Sequence, residues 1–304
     1  MKRVLIRFQS YALGDTIAWF PYIEEYRKRE ELEKIYVSMK WAELFEENYP
    51  KIIFNPKINE EEYDIIIDLG MHIHHLQKSG LIYPSFTPLQ KYASDILGFD
   101  YFTEIRPNIR VKEVYNKSNY IKSVSIGTHS TSQSKHWNNL SGWQDVVDYL
   151  LGKSYDVYCL DRYKVFGRGD MMNKIPEGVI FDSDITISKI ISIMHVSDFF
   201  IGLGSGLSWL AWALGIPVIL ISGFSHPVTE FQSNISRVFN QDVCNSCFNK
   251  EKLDPLTWKW CPSTFKKKEM FECTKEITSN SVILEIDKYI NKKWYDRQGV
   301  RFSI

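Results

Sequence analysis

The sequence lacks three features that often reveal a function. Lys plus Arg and Asp plus Glu number 37 each among the 304 residues, so no excess of charge points to nucleic acid as a partner. No apolar run reaches the roughly 18–20 residues that span a bilayer, because glycines and Pro217 interrupt the longest candidate, residues 199–224. A signal peptide is not predicted either, since Arg7 and Gln9 interrupt the short apolar start, for which a buried first strand is the better interpretation. These absences predict a cytoplasmic protein with no transmembrane segment and no nucleic-acid partner.

The sequence does contain the composition of a globular protein and a regular order of apolar segments. Hydrophobic residues make up 44% and charged residues 24% of a chain long enough for two domains. Strands are predicted at 4–8, 34–39, 63–69, 122–127, 156–160, 199–202 and 216–222, and helices at 16–29, 42–48, 142–151, 185–195 and 207–214. This β-α-β alternation predicts an α/β protein with two Rossmann-like domains, 1–118 and 119–304, facing a central cleft as in the GT-B fold.

One strand-to-helix turn has the residues of an anion site. Gly204-Ser205-Gly206 follows a predicted strand, and Leu207 and Ser208 open the next helix. Glycines allow close approach of the backbone, and the first turn of a helix offers free N–H groups and the positive end of its dipole. A pyrophosphate is the natural ligand, with serine hydroxyls as further donors. Taken alone, the turn is equally typical of a tight connection without a ligand, because the three-glycine fingerprint and the Walker lysine are both absent.

The segment around this turn resembles the donor signature of glycosyltransferase family 9, the heptosyltransferases. The positions that fit the family pattern are Asp198, Gly202, Ser205, Gly206, Leu207, Ala211, Ala213 and Pro217. Gly204 stands where the family usually has an acidic residue, and Trp209 stands where it usually has histidine. Further resemblances follow in the family's order along most of the chain: Leu13-Gly14-Asp15 with Pro21, the strand at 63–70 with Lys78-Ser79, and the loop 131–137 with Lys135 and Trp137.

The resemblance implies catalytic roles for two residues. Asp15 would be the general base, and Lys135 would bind the donor phosphates or the sugar. Gly14 would join Gly204 to Ser208 in the nucleotide-sugar site. Each role has an ordinary structural alternative: Asp15 suits the N-cap of a helix that begins at Thr16, and Lys135 suits an exposed loop.

Other polar residues near the first domain's strand ends are weaker candidates. Asp68 ends a predicted strand, where it would either cap the next segment or line the acceptor pocket. His72, His74 and His75 follow it, but no carboxylate or cysteine completes a metal-ligand spacing. Contacts within a loop or to an acceptor are the better interpretation of these histidines.

Four of the five cysteines have the spacing of a metal site. Cys159 lies in an apolar strand and is predicted to be a core residue, whereas Cys244, Cys247, Cys261 and Cys273 cluster within residues 240–276. In a cytosolic protein this arrangement predicts a closed, structural four-thiolate metal finger, with zinc or iron as the metal. The resemblance favours iron, because a four-cysteine finger within family 9 is similar to that of the TibC-like autotransporter heptosyltransferases, which carry iron and form dodecamers.

This resemblance implies a specific reaction. The chain would move heptose from ADP-heptose to Ser or Thr hydroxyls of a protein acceptor, an autotransporter adhesin, with inversion and without a catalytic divalent metal. It would act as a homo-oligomer, and because its first strand begins at once we expect no additional N-terminal domain. The alternatives are a lipopolysaccharide-type transferase with a saccharide acceptor and a non-catalytic member of the same fold.

Overall fold

The N-terminal part of the chain forms a four-stranded parallel sheet. The computed structural model describes residues 2–72, 86–112, 122–251, 257–265 and 270–297. Strands β1 (Val4–Phe8), β2 (Ile35–Ser38), β3 (Ile52–Phe54) and β4 (Ile65–Leu69) lie in the order β3-β2-β1-β4. Strand β1 is central and almost wholly buried, which explains why four of its five residues are apolar.

The helices of this part differ from the prediction. A single helix was expected over residues 16–29, but the chain forms two, Leu13–Trp19 and Pro21–Arg29. Pro21 occupies the first helical position of the second helix, where its missing N–H has no cost. The predicted helix at 42–48 is reduced to a 3-10 turn, Ala42–Leu44. A 3-10 turn Glu60–Glu62 and a helix Leu89–Ile96 complete this part.

The C-terminal part forms a six-stranded parallel sheet and a separate hairpin. In chain order the strands are β5 (Lys122–Gly127), β6 (Tyr155–Cys159), β7 (Val165–Arg168), β8 (Met171–Lys174), β9 (Ile180–Phe181), β10 (Phe200–Leu203), β11 (Val218–Ile221) and β12 (Ile235–Val238). The sheet order is β12-β11-β10-β5-β6-β9, and β7 pairs with β8 in an antiparallel hairpin. The hairpin, β9 and β12 were not predicted.

Helices cover this second sheet. They span Gly142–Gly152, Ile187–Val196, Gly206–Ala213 and Ser279–Arg297, with single turns at Cys247–Lys250 and Glu272–Lys275 and 3-10 turns at Gln133–Lys135 and Pro262–Phe265. None of the helices in the described ranges combines the length and apolar character needed to cross a bilayer. The α/β architecture with two parallel sheets is therefore confirmed.

The two sheets meet through the starts of two helices. Helix Leu13–Trp19 packs on helix Gly206–Ala213, and a Cβ atom on Gly206 would lie 2.8 Å from the Cβ of Leu13 and 3.1 Å from the Gly14 nitrogen. Only glycine permits so close an approach without displacement of the neighbouring backbone. The predicted boundary at 118/119 lies outside the described residues, so the domain division at that position stays a prediction.

Candidate active site

A cavity of about 550 Å³ lies where the two sheets face each other, at the carboxyl ends of their strands. It is lined from both parts of the chain. Among the predicted site residues, those that line it are Gly14, Asp15, Lys135, Gly204, Ser205, Gly206 and Leu207. The structure thus brings together residues that are separated by up to about 190 positions along the sequence. They meet because the strands that precede them end at the same cleft between the two sheets.

Asp15 lies in the first turn of helix Leu13–Trp19. The N-cap position is Ala12, and it makes no side-chain capping bond, so the alternative in which Asp15 caps a helix starting at Thr16 is wrong. One carboxylate oxygen accepts a hydrogen bond of 2.5 Å from the Ser10 hydroxyl. Burial raises the pKa of Asp15 above its usual range, and the Ser10 bond and the charge of Lys135 oppose that shift only in part. A carboxylate with a raised pKa is suited to take up a proton.

Lys135 ends the 3-10 turn Gln133–Lys135 and faces the same cavity. Its ammonium group lies 6.0 Å from the centre of the Trp260 ring. Burial lowers the pKa of Lys135, while the carboxylates of Asp15 and Glu230 raise it. The alternative of an exposed loop lysine is therefore wrong, because Lys135 is partly buried and lines the cavity together with Asp15, Glu230 and Trp260.

The Gly-Ser-Gly turn forms one wall of the cavity. Ser205 is the N-cap residue of helix Gly206–Ala213, so the free N–H groups of that helix begin at the cavity. Among the described side chains, the Ser205 hydroxyl is one of the few buried polar groups without a hydrogen-bond partner. Such a group is costly unless a ligand or water satisfies it. The arrangement fits an anionic ligand at this helix start.

Two neighbouring residues stabilise the turn and the core, and one of them, Trp209, also lines the cavity. The Ser208 hydroxyl is buried and donates to the carbonyl of Leu203 at 2.6 Å, so it closes the turn and does not line the cavity. Trp209, which replaces the family's usual histidine, is buried against Trp212 and Phe231 with ring centres 5.5 and 5.0 Å away. Its ring also lies beside Gly14, where a Cβ atom would be 3.1 Å away.

Several cavity residues escaped the sequence analysis. Glu230 and Thr229 come from the loop after β11, Arg162 and Tyr163 from the segment after β6, Phe166 from the unpredicted hairpin, and Trp260 from the cysteine segment. The rule that loops after parallel strands carry ligand contacts identifies the first four positions in principle. Nothing in the sequence pattern indicates Phe166 or Trp260, because long-range packing brings them to the cavity.

The secondary candidates lie elsewhere or are only partly described. Asp68 accepts hydrogen bonds of 2.7 and 2.9 Å from Arg7 and 2.6 Å from Gln9, and it does not line the cavity. The Arg7 guanidinium lowers the pKa of Asp68, which is typical of a structural ion pair. His74, His75 and Lys78-Ser79 lie outside the described residues. Trp137 is a core residue whose indole N–H donates to the carbonyl of Ile277.

The four clustered cysteines line a second pocket, of about 300 Å³. All five cysteines are described and none forms a disulfide. Burial raises the pKa of the Cys247 thiol to about 11, and neighbouring thiols add to the shift. However, no three His, Cys, Asp or Glu side chains of the described ranges are arranged so that they could hold a metal ion. The predicted metal finger is thus not shown. Four sulfur atoms form a tetrahedron when thiolates bind a cation, because neutral thiols attract one another only weakly.

Comparison with known proteins identifies the family of this chain. No family model matches the chain. Autotransporter heptosyltransferase Aah of Escherichia coli is 36% identical over 292 residues, which are 92% of this chain and 72% of that protein. The chain belongs to the autotransporter heptosyltransferases. It is therefore a glycosyltransferase.

Two other members of this family bear on the site. TibC, described as an iron-containing dodecameric glycosyltransferase of enterotoxigenic E. coli, has a crystal structure that matches with a TM-score of 0.85 and 32% identity, over 96% of this chain and 77% of that chain. A second TibC structure is a complex with ADP-D-β-D-heptose, and it matches with a TM-score of 0.83. BimC of Burkholderia thailandensis, an inactive autotransporter heptosyltransferase, is 29% identical over 92% of this chain and 67% of that protein.

Proposed function

We propose that this chain transfers heptose from ADP-heptose to a Ser or Thr hydroxyl of an autotransporter adhesin. The observation that carries the proposal is the meeting of Asp15, Lys135 and the Gly204–Gly206 turn in one cavity. These groups supply a base, a cation and a helix start, which are the functions that glycosyl transfer from a nucleoside diphosphate needs. The TibC complex with ADP-D-β-D-heptose supports the choice of donor.

The proposed reaction is a single displacement with inversion. Asp15 takes the proton of the acceptor hydroxyl while that oxygen forms a bond to the anomeric carbon. The bond between the anomeric carbon and the phosphate oxygen breaks, and its electron pair leaves with ADP. Lys135, the Ser205 hydroxyl and the N–H groups at the start of helix Gly206–Ala213 would stabilise the negative charge that develops on the diphosphate. No step needs a divalent metal, because these groups supply the positive charge.

Ligand-dependent thermal stability tests the donor assignment. We expect ADP-heptose to raise the melting temperature by several degrees, ADP by less, and UDP-glucose or GDP-mannose not at all. A ligand at about 100 times its dissociation constant adds about 2.7 kcal/mol to the free energy of unfolding. Stabilisation by the uridine or guanosine sugars alone would refute the heptose assignment. Incubation of ADP-heptose with an adhesin and with a lipopolysaccharide core then distinguishes the protein acceptor from the saccharide alternative by mass.

We further propose that Cys244, Cys247, Cys261 and Cys273 hold a structural iron ion and that the chain forms a homo-oligomer, as the iron-containing dodecameric TibC does. Four thiols around one pocket, with Trp260 and Phe224 in its wall, are a donor set that suits iron or zinc. A closed four-thiolate site has no position for substrate, so its contribution would be to fold stability. A cytoplasmic location is part of the same proposal, since free thiols persist there.

The metal proposal predicts a difference between cysteines. Replacement of Cys261 by serine should remove most of the bound metal and lower the melting temperature, because binding free energy at such a site is folding free energy. Replacement of Cys159, a buried cysteine of β6, by alanine should leave the metal content unchanged. Elemental analysis of the purified variants, with the visible absorption spectrum, measures both outcomes and separates iron from zinc. Equal metal content in the two variants would contradict the proposal.

A further inference from the structure

The cavity contains a second buried carboxylate, that of Glu230, for which the proposed reaction gives no role. Glu230 is only 6% exposed and lies in the loop between β11 and β12. One carboxylate oxygen accepts a hydrogen bond of 2.6 Å from the Ser225 hydroxyl, and the other accepts one of 3.1 Å from the Arg237 guanidinium. These two partners hold the carboxylate in one orientation.

The Glu230 carboxylate lies against the donor turn and lines the cavity. One of its oxygens lies 3.0 Å from the position that a Cβ atom on Gly204 would take. It therefore occupies the space of the side chain that is missing at residue 204. Glu230 lines the same cavity as Lys135 and the proposed base Asp15, and both carboxylates favour the charged form of Lys135.

The chemistry of a carboxylate limits what it binds here. An ionised carboxylate has about four acceptor positions and no donor, and Ser225 and Arg237 occupy two of them. The remaining positions repel phosphate oxygens and accept hydrogen bonds from hydroxyl groups. The base removes a proton from the acceptor hydroxyl while that hydroxyl attacks the anomeric carbon. The sugar, which contains the anomeric carbon, is therefore the part of the donor that lies beside the base.

We propose that Glu230 binds hydroxyl groups of the transferred sugar and so selects and orients that sugar, with no contact to the diphosphate. The inference rests on the proposed nucleotide-sugar donor. It makes Glu230 a specificity residue whose carboxylate takes the place of an acidic side chain at Gly204. The glycine at 204 is then required, since any side chain there would displace the Glu230 carboxylate.

Calorimetry on the full-length protein with ADP-heptose and with ADP separates sugar contacts from nucleotide contacts. In Glu230→Gln we expect the affinity for ADP-heptose to fall about tenfold or more, as for loss of a hydrogen bond to a charged group. The affinity for ADP should change less than about twofold. Glu285→Gln is the matched control, because this carboxylate also accepts hydrogen bonds, from Ser236 and Lys288, but does not line the cavity.

A second variant guards against misfolding. Removing the charge of Glu230 leaves the largely enclosed Arg237 without its ion-pair partner, which is destabilising. The double variant Glu230→Gln with Arg237→Met therefore removes both charges. Selective loss of ADP-heptose affinity in either folded variant supports the inference. An equal loss of affinity for ADP would show that Glu230 contacts the ribose or the diphosphate. Unchanged affinity for both ligands would show that Glu230 does not contact the sugar. Each of these results overturns the inference. Failure of the wild-type protein to bind either adenine ligand would instead overturn the proposed donor.

Discussion

Replacement of Asp15 by asparagine should lower the rate of sugar transfer by about 10²–10⁴-fold and leave the affinity for ADP within a few-fold. General-base catalysis by a positioned side chain is worth about that factor, and an amide does not take up the proton. Asparagine has the same shape, and its oxygen still accepts the hydrogen bond from Ser10. Single-turnover rates with ADP-heptose and a protein acceptor, together with ADP calorimetry, measure the two effects separately.

The pH dependence gives a second measure of the same role. Transfer requires ionised Asp15, so the rate rises with pH through its pKa. Because burial raises the pKa of Asp15, the acidic limb of the rate profile should lie above the range of an ordinary carboxyl. Protonated Lys135 sets the alkaline limb, and burial lowers the pKa of Lys135, so that limb should lie below the range of an ordinary lysine.

Asp68→Asn is the matched control for Asp15. This aspartate lies near the carboxyl end of strand β4 in the first sheet. It pairs with Arg7 outside the cavity, so its replacement should leave the rate nearly unchanged. Full activity in Asp15→Asn would assign this chain a different base, and activity in neither the variant nor the wild type would group it with the inactive relative BimC. Both results would refute the role of Asp15.

The parallel strands were predictable because burial on both faces leaves a clear trace in the sequence. Strands β1 and β5 were located to the residue, since most of their positions are buried and carry apolar or small side chains. Strand β9, with two residues, and the β7–β8 hairpin have mixed burial, so they carry neither an apolar run nor a clean alternation. Helix starts were harder: Leu13 begins a helix without any capping side chain.

The candidate site was predictable only where its residues are part of a motif. Asp15 and Lys135 stand in short segments that resemble a known pattern, whereas Glu230 stands in none. Its importance comes from the contact of the β11–β12 loop with Gly204, which depends on how three strands lie side by side. Trp260 has a similar origin, because backbone hydrogen bonds from Gln133 and Ser134 to residues 258 and 259 bring the cysteine segment against the Lys135 loop.

Replacement of Lys135 by methionine should lower the rate of transfer by about 10²–10³-fold, the usual cost of removing one group that stabilises developing negative charge. Methionine retains an unbranched side chain of similar length beside Trp260, so the wall of the cavity is kept while the charge is lost. Lys189→Met is the matched control, because this lysine makes an exposed ion pair with Asp182. The rates of the three proteins with saturating ADP-heptose measure the effect.

Lys135→Met should also change the pH profile in a direction that packing alone does not explain. The positive charge of Lys135 lowers the pKa of Asp15, so its removal should raise that pKa further and move the acidic limb of the profile to higher pH. A slower enzyme with an unmoved acidic limb would show that Lys135 and Asp15 do not interact. A shifted limb with an unchanged maximal rate would show that Lys135 sets the charge of the base but does not stabilise the leaving diphosphate.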